Sequence, residues 1–219
     1  MIADRILTID AEAMVIDKPA GLPVTPVRDG TLSLENHLQS LTFGFQRWPI
    51  PVHRLDRDTS GCLLLARTPK AAKRYGAAFE AGTVKKAYLA VLDGVPKDSE
   101  GVIDLALAKV STRESGWRIV PDTKKGKAAI TRWRMLGQAK GRALILFEPD
   151  TGRTHQLRVH AASGIGVPIV GDPIYGDGRL AMMLHAWRLH VPREGKAAIE
   201  AEAPIPDTFR SAGFGDVAG

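Results

Sequence analysis

The stretch "HRLDRDTSGCLLLAR" (residues 53–67) constrains the fold most, because it joins a crowded polar loop directly to an apolar run. The run "CLLLA" (62–66) has the length of a strand and shows no polar alternation, which is typical of a central strand covered on both faces. A chain of 219 residues with 44% apolar side chains can supply the core that such a strand needs. The sequence therefore predicts a compact body built on a sheet.

The other predicted elements complete a mixed α+β fold. Thr68 can cap a helix that starts at Pro69 and ends before Gly82, and the leucines of "LSLENHLQSL" have helical spacing. Strands are predicted for "ILTID", "MVIDK", "KAYLAVLDG", "RALILFEP" and "MMLHAWRLHV". This order predicts a mixed, mainly antiparallel central sheet flanked by helices and loops. We expect a single domain over residues 1–219, with a basic insertion or hairpin arm at about 96–134.

Several classes of protein lack support in the sequence. The N-terminus carries Asp4, Arg5 and Asp10, so it does not resemble a secretory signal, and no apolar run approaches the ~20 residues of a membrane span. The single cysteine, Cys62, fits a reducing compartment. Metal-ligand spacing and phosphate-binding loops are missing. We therefore expect a soluble, cytoplasmic protein with no metal, no cofactor and no contact with a membrane.

Positive charge is concentrated in one segment. The chain has a net charge of +6, and the stretch from Lys109 to Arg134 alone holds eight basic residues against Glu114 and Asp122. Trp117 and Trp133 lie among these cations. Basic residues interleaved with aromatic ones can hold phosphates and stack on bases. The same pattern also describes a solvated hairpin face, and this segment alone leaves both interpretations open.

Asp56 is the candidate catalytic group of the opening stretch. A short carboxylate is ionised at neutral pH, and in a dry, positive pocket it can act as a nucleophile or a base. The alternative is a loop in which the two aspartates, Asp56 and Asp58, pair with Arg54 and Arg57. A serine hydrolase using Ser60 is a further alternative, but Ser60 does not lie in a G-x-S-x-G motif. From the residues alone these alternatives stay open.

The opening stretch resembles the signature of the RluA family of pseudouridine synthases. Four further segments resemble family motifs in the same order, namely "DKPAGLPV" (17–24), "KKAYLAVLDG" (85–94), "TGRTHQLRVHAASGIGVPIVGDPIYG" (151–176) and "LHA" (184–186). The resemblance extends from about Ile6 to Pro204. It implies the fold of the family and an enzyme that isomerises uridine to pseudouridine in structured RNA without a cofactor. A non-catalytic RNA-binding module of the same fold is the alternative.

The resemblance also implies roles for individual residues. Asp56 corresponds to the nucleophile, Tyr88 to the aromatic ring that stacks on uracil, and Arg158 to the partner of the Asp56 carboxylate. Arg54 resembles the arginine that enters the RNA stack where the target nucleotide leaves it. Further RNA contacts are expected from Arg57, Arg153, Thr154, His155, Lys124, Lys125 and Lys127. Thr154 and Arg158 are expected to face one site from a helix, with Leu157 and Ala161 facing the core.

The chain departs from the family pattern at its N-terminus. The S4-type RNA-binding domain that is common in the family is not expected, because the catalytic region begins within the first ten residues. Substrate recognition is then expected from the catalytic domain and its loops. The expected partner is a stem-loop of ribosomal or transfer RNA, and no obligate protein partner is predicted.

Overall fold

The computed structural model describes residues 1–112 and 116–215, and it divides the chain into two compact units. The first unit comprises Met1–Lys86 and Ala186–Pro204, and the second comprises Ala87–His185 and Ile205–Gly219. The architecture is mixed α+β with a central, mostly antiparallel sheet, so the predicted fold class is confirmed. Among the described residues, none of the helices is long and apolar enough to cross a membrane. The single catalytic domain stays a prediction.

The first unit is built around the apolar run identified in the sequence. Its elements are a first 3-10 helix (Ile2–Arg5), β1 (Ile6–Ile9), β2 (Ala13–Lys18), a second 3-10 helix (Leu34–Leu41), β3 (Ile50–Pro51), β4 (Ser60–Ala66), α1 (Pro69–Glu80), the Ala186–Val191 part of β11 (Leu184–Val191), and β12 (Ile199–Glu202). Strand β4 pairs antiparallel with β2 on one side and with the short β3. Its residues from Gly61 to Ala66 are all buried. The predicted coverage of both faces is therefore confirmed.

Helix α1 follows the signals at its ends. Thr68 accepts a hydrogen bond from the backbone N–H of Ala71 and Pro69 is the first helical residue, which is the position where a missing N–H costs nothing. Ala71 and Tyr75 are buried against β4 in an apolar cluster, and Phe79 packs on its edge. The leucine-rich segment after residue 33 also buries the predicted leucines, but as a 3-10 helix.

The second unit contains two pieces of sheet. Its elements are the Ala87–Leu92 part of β5 (Lys85–Leu92), β6 (Glu100–Asp104), β7 (Leu107–Thr112), β8 (Gly116–Pro121), β9 (Ile130–Ala139), β10 (Arg142–Pro149), α2 (Gln156–Val159), a π-helix (His160–Ile165) and α3 (Asp207–Ser211). Strands β5, β10, β9 and β6 pair antiparallel in that order. Strands β7 and β8 form a separate two-stranded sheet, which we call the hairpin.

Candidate active site

In the first unit, a buried lysine holds the loop that carries Asp56. Lys18 at the end of β2 has no exposed surface. Its ammonium donates to the backbone carbonyls of Pro19 and Leu22, each at 2.8 Å, and to that of Arg57 at 3.0 Å. An ammonium has three donors, so these three carbonyls use all of them. Lys18 therefore ties the residue next to Asp56 to the "KPAGLP" turn.

Lys18 also brings positive charge to this loop. Burial lowers the pKa of Lys18 to about 8, and the carboxylates of Asp58, Asp56 and Asp17 act in the opposite direction. The side chain is thus mainly protonated at neutral pH. Sequence reasoning gave no role to Lys18, and the signal is weak, because Lys18 follows Asp17 at the end of the strand and lysine is rarely fully buried.

His53 fixes the other end of the same loop. Its ring stacks on Phe79 of α1 with centroids 4.4 Å apart, and its Nε2 accepts a hydrogen bond of 2.9 Å from the backbone N–H of Leu64. Burial, together with the charge of Lys86, lowers the pKa of His53 to about 3. The neutral ring therefore carries its proton on Nδ1. His53 anchors the loop to both β4 and α1.

Gly61 explains the turn from loop to strand. Its φ is +104°, and a Cβ at this position would lie 2.2 Å from the carbonyl oxygen of Ala186. Only glycine fits both the conformation and the contact. Just before it, the backbone N–H of Thr59 donates to the carbonyl of Asp56 at 3.2 Å. The position of Asp56 is therefore set by Lys18 and the backbone turn on its C-terminal side, and by His53 on its N-terminal side.

The two arginines beside Asp56 are exposed, whereas Asp56 itself is half-buried. Arg57 forms an ion pair with Asp29 at 2.8 Å, and about half of each side chain is accessible. Such pairs contribute at most about 1 kcal/mol. A phosphate can displace Asp29 from Arg57 at little cost. RNA contacts of Arg54 and Arg57 stay predictions.

In the second unit, Arg158 is held in a buried ion pair. Its Nε and Nη2 each lie 2.7 Å from a carboxylate oxygen of Asp172, and neither side chain exposes more than 6% of its surface. Asp172 also accepts hydrogen bonds from the backbone N–H groups of Ile174 and Tyr175. Burial raises the pKa of Asp172, but the Arg158 and backbone hydrogen bonds outweigh it and leave the pKa below its ordinary value. The guanidinium plane of Arg158 is therefore fixed.

Asp172 is a residue that sequence reasoning missed. It lies 14 residues after Arg158, in the "GDPIYG" part of the same motif. An acidic residue inside a motif rich in glycine was the available signal. The predicted pairing of Arg158 with Asp56 stays a prediction.

The predicted helical facing of Thr154 and Arg158 is wrong. His155 has a left-handed backbone with φ 52° and ψ 18°, so α2 begins only at Gln156. Thr154 lies in an exposed turn, whereas Arg158 is buried. The side chain of Gln156 stabilises this turn, because its Oε1 accepts from the backbone N–H of Arg153 at 2.9 Å. The predicted core positions of Leu157 and Ala161 are confirmed.

Tyr88 lies in β5, opposite Phe147 of β10, and is half-buried beside an apolar cluster that includes Ala90 and Leu92. Its position on one face with these two residues agrees with the strand alternation expected from the sequence. Stacking of the ring on uracil stays a prediction.

The basic segment presents three of its lysines at a hydrogen-bonded turn. The carboxylate of Asp122 accepts hydrogen bonds from the backbone N–H groups of Lys124 and Lys125 at 2.8 and 2.9 Å, and a Cβ at Gly126 would lie 2.2 Å from the Asp122 carbonyl. The side chains at this turn are exposed; we call Lys124, Lys125 and Lys127 the basic turn. Arg153 is linked to this region by a 3.0 Å hydrogen bond to Ala128.

The two tryptophans of the segment differ in exposure. Trp133 is buried at 8% exposure, whereas Trp117 on β8 exposes 44% of its surface. The ring of Trp117 lies 5.0 Å from that of His155, and the Lys109 ammonium lies 4.9 Å from the Trp117 ring. Arg113 and Glu114 lie outside the described residues. Only Trp117 is accessible for stacking, and His155 supports it from a buried position.

Comparison with known proteins identifies the family. The profile described as RNA pseudouridylate synthase matches residues 12–163. An uncharacterized RNA pseudouridine synthase of Zymomonas mobilis is 62% identical over 98% of this chain and 99% of its own length. Ribosomal large subunit pseudouridine synthase D of the same organism is 38% identical over 81% of this chain and 57% of its own.

A solved structure agrees with these sequence matches. Human RNA Pseudouridylate Synthase Domain Containing 4 superposes with a TM-score of 0.82 at 26% identity, covering 96% of this chain and 92% of that one.

Proposed function

Because this chain belongs to the family of RNA pseudouridylate synthases, which are isomerases, we propose that it converts specific uridines of structured RNA to pseudouridine with Asp56 as the nucleophile. The observation that carries the choice of Asp56 is its loop. A buried lysine, a neutral histidine and a glycine without room for a side chain fix this loop. Preorganisation of this kind is what a nucleophile requires. The non-catalytic alternative loses its support, because the named relatives are synthases.

The proposed reaction rearranges one nucleotide. The uridine leaves its stack, because its base cannot turn inside a helix. Asp56 attacks either C1′ of the ribose or C6 of uracil, and the bond between N1 and C1′ breaks. The base turns, C5 bonds to C1′, and the bond from Asp56 to the nucleotide breaks, which frees the carboxylate. The proton on C5 is released as N1 gains one. Atoms and electrons balance without a redox partner or a second substrate.

Arg158 and Tyr88 are proposed to serve the same reaction. Arg158 is proposed to pair with the Asp56 carboxylate through the N–H groups that Asp172 does not use. The bidentate pair with Asp172 suits this task, because it fixes the orientation of those remaining donors. Tyr88 stacks on the detached uracil and helps to move its proton. Arg54 enters the RNA stack in place of the flipped nucleotide.

The substrate is proposed to be ribosomal or transfer RNA, with ribosomal RNA as the first candidate. The relative that is 38% identical is named as an enzyme of the large ribosomal subunit. The basic turn, Arg57 and Arg153 are proposed to contact phosphates of the RNA, and Thr154 and His155 are proposed as further RNA contacts. Their exposed cations give the salt-dependent attraction that any RNA backbone provides.

Pseudouridine mapping tests this function. RNA from a strain without the gene is compared with RNA from its parent and from strains that express the wild-type chain or the Asp56→Asn variant. We expect one or a few pseudouridines to be missing, to return with the wild-type chain and to stay missing with the variant. Unchanged maps, together with no product when the purified chain acts on RNA from the deleted strain, would overturn the proposal.

A further inference from the structure

Tyr175 connects the hairpin to the segment that holds Arg158. Its hydroxyl oxygen accepts a hydrogen bond of 2.9 Å from the backbone N–H of Ile119 on β8. The same hydroxyl lies 3.0 Å from Nδ1 of His155, to which it can donate its proton. One phenol group therefore touches both the hairpin and the turn before α2.

The ring and backbone of Tyr175 contact the buried ion pair. The Arg158 guanidinium carbon lies 5.2 Å from the centre of the Tyr175 ring, within the range of a cation–π contact. The backbone N–H of Tyr175 donates to Asp172 at 3.0 Å. The ring is thus one wall of the place where Arg158 is held.

The hairpin depends on such contacts, because a two-stranded sheet is marginally stable by itself in water. Leu107 and Ile119 bury their side chains in a small cluster with Val159 of α2, against which Tyr175 packs. Leu107 also exchanges two backbone hydrogen bonds with Lys127. The phenol hydroxyl adds a polar anchor on the outer edge of β8.

We propose that Tyr175 is a positioning residue with two separable tasks. Its hydroxyl holds the hairpin in place for RNA, and its ring supports the Arg158 guanidinium during the reaction. This inference rests on the proposed function for its second task only. It goes beyond that function by predicting that RNA affinity and chemical rate depend on different parts of one side chain.

Two substitutions separate the tasks. Tyr175→Phe keeps the ring under Arg158 and removes the hydroxyl, so Kd for RNA should rise about tenfold through two lost hydrogen bonds, with the single-turnover rate at saturating enzyme within twofold of wild type. Tyr175→Leu removes both the hydroxyl and the ring, so Kd for RNA should rise by a similar factor and the single-turnover rate at saturating enzyme should fall at least tenfold. Tyr75→Phe is the matched control, because it removes a buried tyrosine hydroxyl whose partners are Arg74 and Arg193 of the first unit. Both quantities should stay unchanged in this control.

The measurements use filter binding and pseudouridine formation on ribosomal RNA purified from the strain without the gene. Hydrogen exchange at the Ile119 amide gives a readout without catalysis, and it should be faster in Tyr175→Phe than in wild type. An unchanged Kd and unchanged exchange for Tyr175→Phe would overturn the first task. Equal loss of rate in both variants would overturn the second. If Tyr175→Leu does not fold, Tyr175→Met takes its place, since it also removes the ring and should show the same loss of rate.

The proposed function fails in a distinguishable way. A wild-type chain that forms no pseudouridine refutes that function, while Kd and amide exchange still decide whether the hydroxyl anchors the hairpin.

Discussion

Removal of the Asp172 carboxylate should destabilise the protein far more than removal of an exposed one. Asp172 has no exposed surface and forms two 2.7 Å hydrogen bonds with Arg158. In Asp172→Ala the guanidinium stays buried without this counter-charge, which typically costs about 3–5 kcal/mol. For a chain of this size the melting temperature should fall by about 6–20 °C, at about 2–4 °C per kcal/mol.

The assay is urea denaturation followed by circular dichroism. The variants can be compared when the free energy of unfolding falls with urea concentration at the same slope in all of them. Asp93→Ala is the control within the same unit, because Asp93 pairs with Arg142 at 3.2 Å and 42% of its side chain is exposed; it should cost at most about 1 kcal/mol. Combining Asp172→Ala with Arg158→Met should recover part of the loss, since no buried charge then remains. Equal destabilisation by Asp172→Ala and Asp93→Ala would refute the reasoning.

Three further outcomes test other parts of the account. Replacing all three lysines of the basic turn by alanine should flatten the plot of log K against log[salt] by roughly 2 units, at ~0.7 per lost phosphate contact, and an unchanged slope would show that the turn is only solvated. Arg158→Lys should lower kcat strongly and leave the RNA affinity unchanged, whereas Arg153→Lys should weaken RNA binding modestly and leave kcat unchanged. Single-turnover rates at saturating enzyme separate the two effects. If the two variants show each other's effects, the roles of the two arginines are reversed. The pKa of His53 in the folded protein is depressed to about 3, so between about pH 6.5 and 3 the unfolded chain binds a proton that the folded chain does not. The free energy of unfolding should therefore fall as the pH is lowered through this range, by at most about 1.4 kcal/mol per pH unit. Urea titrations of His53→Gln at the same pH values should lack this decrease.

The sequence predicted correctly those elements whose formation depends on residues close together in the chain. Helix α1 starts at Pro69 because the Thr68 side chain and the proline ring act within one turn, and both are visible in the sequence. Strand β4 was predicted from a continuous apolar run that has the length of a strand. The family resemblance is confirmed over most of the chain.

Contacts between distant residues could not be read in the same way. Lys18 reaches a carbonyl 39 residues away, and Tyr175 reaches an N–H 56 residues away. Their partners are backbone atoms, which every residue has, so no pairing of side-chain types reveals them. The helix expected to include Thr154 starts later because His155 adopts a left-handed conformation, and the ring of His155 contacts Trp117 and Tyr175, which are distant in sequence.

The most direct test of the central claim compares Asp56→Asn with the wild-type chain on the same RNA. The substitution keeps the size of the side chain and replaces the carboxylate oxygen that is proposed to attack. We expect pseudouridine formation at saturating enzyme to fall below about one per cent of the wild-type rate, because a nucleophile contributes far more than a hundredfold, while Kd for RNA changes by no more than a few-fold. Residual activity above about one per cent, with the variant folded and bound to RNA, would contradict the assignment of Asp56 as the nucleophile.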